Sequence, residues 1–177
     1  MKTLKTIAVC ALLSGATASF AHVTLEQPEA TAGSTYKAVF KVGHACAASG
    51  ATTGLVVRLP AGFADAHPVP KAGWTTRVVR AAPEGQAPAA AAAVVEVRWD
   101  ARDAEAALPD AFYDEFTVRG RLPASAGPLW FKVLQRCDAG QADWAEVPAS
   151  GTDTRGLKAP AARLDVRPAP AAAPHAH

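Results

Sequence analysis

His22 follows Ser19-Phe20-Ala21, whose small residues suit a signal-peptidase cut, so one proteolytic event turns this histidine into an amino terminus. A free N-terminal histidine offers its α-amine and its own Nδ1 to one ion in a six-membered chelate, and both are nitrogen donors suited to copper(II). With an upstream peptide attached, the amine is an amide and the chelate is lost. The chemistry implied is reversible coordination. Covalent catalysis has no comparable support, because the chain holds no Gly-x-Ser-x-Gly, His-Glu-x-x-His or phosphate-loop motif and no recognisable nucleophile and base pair.

The segment to be removed has the three parts of a secretory signal. Lys2 and Lys5 precede an apolar stretch over 6–16, and Ser19 and Ala21 supply the small residues before the cut. That stretch falls short of the roughly 20 residues that span a bilayer. Residues 1–21 therefore read as a signal peptide, and the mature protein as periplasmic with no membrane span. Cleavage also resets the charge, since the chain has 18 Lys plus Arg against 16 Asp plus Glu and the signal takes two lysines and no acid. A balanced mature chain has no basic field with which to hold nucleic acid or an anionic membrane.

Met1 and Cys10 leave with the signal, so of the three cysteines Cys46 and Cys137 stay. In an oxidising compartment these are expected to pair as a disulfide; the alternative is two thiolates acting as soft metal ligands. Once the sulfurs are paired, no thiolate or thioether is left for copper(I), and the expected cargo is copper(II) on nitrogen and oxygen.

A fixed chelate needs a rigid body behind it, and the pattern predicts one made of strands. Short β-branched or aromatic runs at 22–25, 36–42, 54–59, 74–79, 94–99, 112–119, 129–134 and 144–147 are separated by Gly and Pro. Val95, Val97 and Trp99 alternate with Glu96 and Arg98, and Phe112, Asp114, Phe116 and Val118 alternate with Tyr113, Glu115, Thr117 and Arg119. The expectation is one all-β domain over 22–158, an immunoglobulin-like antiparallel β-sandwich. Residues 81–93, AAPEGQAPAAAAA, read as a long hairpin loop or insertion. Residues 159–177 are Ala and Pro rich and read as a disordered tail, whose His175 and His177 are weak metal candidates.

Five segments in order, HVTLEQPEATAGS, GHACAASGATTGLVVRLPAGF, PKAGW, LPDAFYDEFTVRGRLP and LWFKVLQRCDAGQADWAEVP, resemble the YcnI-like copper-binding family over residues 22–148. The resemblance implies an exported β-sandwich that binds copper(II) through a histidine brace at its first residue, here His22. It also implies a glutamate ligand after the second strand and a tryptophan beside the site in the last strand, which matches Trp144. The chain departs from this pattern at the glutamate. No Asp or Glu lies between Tyr36 and Gly54, where the chain reads Lys41-Val42-Gly43-His44-Ala45-Cys46. His44 is therefore expected to supply the missing donor, since a neutral imidazole suits copper(II) as well as a carboxylate does.

Plainer readings stand beside these. His67, followed by Pro68 and Pro70, reads as a solvated loop residue; Asp110, Asp114 and Glu115 read as an exposed or supporting face; Trp74, Trp99 and Trp130 read as packing. A copper oxygenase would use the same brace but needs a surface to hold substrate, and an adhesion-type sandwich would leave His22 idle. The expected role is not enzymatic. It is copper(II) binding and delivery, with other periplasmic copper-handling proteins as partners.

Overall fold

Alternating burial builds the molecule, whose computed structural model describes residues 22–46, 50–81 and 92–170. The strands are β1 (Thr24–Leu25), β2 (Glu29–Thr31), β3 (Thr35–Val42), β4 (Ala51–Arg58), β5 (Ala64–Pro68) and β6 (Trp74–Ala81). They continue with β7 (Ala93–Ala101), β8 (Leu108–Pro109), β9 (Asp114–Arg121), β10 (Gly127–Cys137), β11 (Gly140–Trp144) and β12 (Ala162–Arg167). One sheet has the order β1-β3-β9-β5; the other has β2-β12-β10-β4-β7-β6, with β11 also on β10 and β8 on β4. Tyr36, Ala38, Phe40 and Val42 of β3 face Phe116 and Val118 of β9 within one buried layer, while Leu55, Val57, Val97, Phe131, Val133 and Leu164 supply the other. Rings lock the layers together: Phe116 meets Trp74 at 5.0 Å and Trp99 at 5.6 Å, and Phe131 meets Phe40 at 5.5 Å, all edge-on.

The all-β expectation holds, with no helix among the described residues. Three differences have physical causes. The tail expected from residue 159 begins later, because Ala162, Leu164 and Val166 alternate with Arg163, Asp165 and Arg167 and are buried on β12, an integral strand. Composition hid that period-two signal. Secondly, the sandwich is not wholly antiparallel: β2 pairs parallel to β12, with Asp165 opposite Glu29 and Arg167 opposite Thr31. The third difference is that Trp144 ends a strand instead of starting one, since β11 arises as a hairpin off β10 with Val133 opposite Trp144. Residues 1–21, expected from the sequence to be a signal peptide, residues 82–91 and the tail histidines His175 and His177 lie outside the described residues. Ala81 and Ala93, flanking the Ala-rich segment, are partners at the end of the β6–β7 hairpin.

The N-terminal strand is pinned at both ends. β1 pairs with β3, placing Thr24 opposite Lys41 and Leu25 opposite Phe40. Beyond β1 the chain crosses to the second sheet, and the buried Tyr36 hydroxyl donates to the Gln27 carbonyl at 2.6 Å across that crossing. Burial pushes the Tyr36 phenol up to about 12.

Candidate metal centre

Because β1 and β3 run antiparallel, the residues entering β1 and those leaving β3 emerge at the same end of the four-stranded sheet. These are His22 and Val23 on one side and Gly43 and His44 on the other. His22 is half-buried and its ring lies 5.4 Å from that of Trp144, tilted by 54°. It also lines an open groove of about 460 Å³ shared with Leu25, Pro28, Leu157, Pro160 and Arg163. The groove gives a small ion a route from solvent to the imidazole.

Trp144 is 8 % exposed and does two jobs, packing into the core and bordering His22. Its indole N–H donates to Gln135 Oε1 at 3.2 Å. Gln135 in turn donates through Nε2 to the His44 carbonyl at 2.6 Å and to Thr52 Oγ1 at 2.8 Å. His44 itself is exposed, on a turn held from three directions. Gln135 holds its carbonyl, Asp110 Oδ1 accepts from the Ala45 amide at 2.9 Å, and Cys46 is bonded to Cys137 in a disulfide with Cα atoms 5.9 Å apart. The disulfide expected from the sequence is present. On the model of loop-closure entropy, a bridge spanning 91 residues stabilises the fold by about 4 to 5 kcal/mol.

Ahead of β4, Gly50 has a φ of +121° that only glycine adopts readily, and a Cβ there would run into Asp138 Oδ1. Asp138 Oδ1 accepts the Ala51 amide at 3.1 Å, so the tight approach secures the start of β4.

The carboxylates near this end have structural employment. Asp110 caps the turn, Asp114 pairs with Lys71 at 2.6 Å, and Glu115 Oε1 accepts from the Tyr113 hydroxyl at 2.7 Å. Lys71 also sits 4.8 Å above the Phe116 ring. Phe112 and Tyr113 are exposed beside them. Loss of hydration and then the bond to Glu115 push the Tyr113 phenol up to about 12. His67 is exposed on β5, not in a loop, and its Nδ1 lies 2.9 Å from the Asp65 carbonyl. Trp74 and Trp99 are core and Trp130 is half-buried.

Among the described residues, no group of three or more His, Cys, Asp or Glu side chains is placed to hold a metal ion. Gln135 and Thr52, the two buried polar residues among the described residues, are what sequence reasoning missed. The available signal was Gln135 taking the inward place after Phe131 and Val133 on one strand.

Residues 22–166 match a family described as "Domain of unknown function (DUF1775)", to which YcnI belongs. The chain belongs to this family. Its domain ends at β12, in agreement with the strand that the tail conceals. Among solved structures it is similar to an uncharacterised protein from Nocardia farcinica with an immunoglobulin-like fold. That likeness has a TM-score of 0.65 and 26 % identity, covering 82 % of this chain and 97 % of the other. No curated protein matches the chain. No helix of the described residues is long and apolar enough to cross a membrane.

Proposed function

We propose that the mature protein is a periplasmic copper(II) carrier that binds one ion through the α-amine and imidazole of His22 together with the imidazole of His44. The observation carrying this reading is that one bonded unit links the segments bearing the two histidines, Trp144 packing on the His22 ring and Gln135 tying Trp144 to the backbone carbonyl of His44. Three nitrogens and solvent oxygen suit copper(II), and with Cys46 and Cys137 paired no soft donor from this site retains copper(I). Delivery is to a partner that supplies both one electron, reducing copper(II) to copper(I), and the sulfur donor that takes the copper(I) this site has no soft ligand to keep. Binding requires the amine and imidazoles with their lone pairs free, so the metal competes with protons for them.

The test is calorimetry of His22→Ala and His44→Ala in protein beginning at residue 22. His22→Ala removes one chelating nitrogen and is expected to lose most of the affinity with the disulfide and sandwich intact. His44→Ala is expected to lower the electron paramagnetic resonance nitrogen count from three to two. Unchanged affinity in His22→Ala contradicts the reading.

A further inference from the structure

Gln135 is 1 % exposed and, with Thr52, is one of the two buried polar residues among the described residues, following Val133 on the inward face of β10. A buried amide gains little net stability from its hydrogen bonds, yet leaving one unmade is expensive. What such a group can add is orientation. The amide has a defined sense here: the Trp144 N–H can only donate and must face Oε1, and the His44 carbonyl can only accept and must face Nε2. Turning the amide over would set donor against donor and acceptor against acceptor at once. The third bond, to Thr52 Oγ1, fixes the amide plane to β4, where Thr52 stands opposite Cys137 after a register shift between Arg136 and Cys137.

The consequence reaches both proposed ligands from inside the core. Since its N–H is committed to Gln135, Trp144 offers His22 a ring surface, and the imidazole is oriented by packing from that side. On the opposite edge of the same amide, the peptide carrying His44 is held by its carbonyl, leaving the exposed imidazole attached to a backbone that does not drift. Neither contact is made by a metal ligand side chain. They act on what stands next to each ligand.

Building on the copper reading above, we propose that Gln135 is the positioning residue of the site. It holds the wall behind His22 and the peptide bearing His44 in one fixed relation, so the donors are arranged before the ion arrives. Removing such a supporting group costs metal sites about tenfold or more in affinity. Gln135→Met keeps the length and removes all three bonds; Trp144→Phe keeps an aromatic ring and removes one.

The experiment measures copper(II) affinity, the paramagnetic resonance spectrum and thermal stability for wild type and both variants, all beginning at His22. The expected result for folded Gln135→Met is an affinity lower by about tenfold or more, with a mixed spectrum in which the His44 nitrogen is partly lost. Trp144→Phe is expected to give a smaller change of the same kind. A residue with a merely structural role lowers the melting temperature and leaves the spectrum and affinity of the folded protein unchanged, and that outcome overturns the proposal. Should Gln135→Met not fold, Trp144→Phe with a wild-type spectrum and affinity overturns it equally. Wild-type protein that takes up no copper overturns the site reading and this inference together, whereas wild-type binding beside unaltered variants overturns this inference alone.

Discussion

Two tryptophans in the same sandwich are held in opposite ways. Trp99 is fully buried, packs edge-on against Phe116 and satisfies its N–H on the Val69 carbonyl at 3.2 Å. Trp144 is nearly as buried but bonds to a side-chain amide that is itself bonded twice more, and its ring meets a histidine at the rim. The first arrangement terminates in backbone and serves packing. The second connects the end of β11 to a turn and to the segment entering β1. Within one molecule, then, apolar contact supplies most of the stability, and buried polarity appears where separate segments have to be kept in register.

That contrast can be broken by substitution. Trp99→Ala removes the largest fully buried side chain and is expected to destabilise by about 3–5 kcal/mol. Chemical denaturation checks the size, and the copper spectrum of the folded fraction should be unchanged. Replacing Cys46 and Cys137 together by serine releases the His44 turn from β10 and is expected to cost about 2–5 kcal/mol. Here, unlike Trp99→Ala, copper affinity should fall along with the melting temperature, because the turn itself is loosened. The smallest effect is expected at Tyr36. Its folded pKa of about 12 lies above the ordinary 10.0, so its stabilising contribution is complete below pH 10 and declines as pH rises towards 12. At pH 11 the loss is on the order of 1 kcal/mol. Tyr36→Phe, measured over the same range, should lack this alkaline decline, and a parallel decline in both proteins would assign it elsewhere.

Much of the scaffold was legible because period-two burial leaves a clear trace in β3 over Tyr36 to Val42 and in β9 over Phe116 to Val118; in β7 it holds from Val97 to Trp99, whereas Val95, in phase with them in the sequence, is exposed where β7 shifts register against β6 and Val94 is buried instead. β12 was not, since its alternation of Ala, Leu and Val with Arg and Asp sits in an Ala and Pro rich stretch that resembles a linker. β2 and β5 are short edge elements whose identity comes from partners far along the chain. At the site, the cysteine pair could be read from residue chemistry alone. The part of Gln135 could not, because it depends on three residues at sequence separations of 9, 83 and 91 meeting one amide. The roles of Asp110 and Glu115 likewise follow from where β8 and β9 bring them: one caps the Ala45 amide and the other accepts the Tyr113 hydroxyl.

The central claim is that the metal chelate comes into being with the free amine of His22. The most direct measurement is a copper(II) titration of protein whose first residue is His22, verified by mass, against the same protein carrying one additional alanine before it. The extra residue leaves every strand, the disulfide and both imidazoles in place. One tight copper(II) ion in the first protein and its loss from the second is the predicted result; equal binding by the two, or binding by neither, contradicts it.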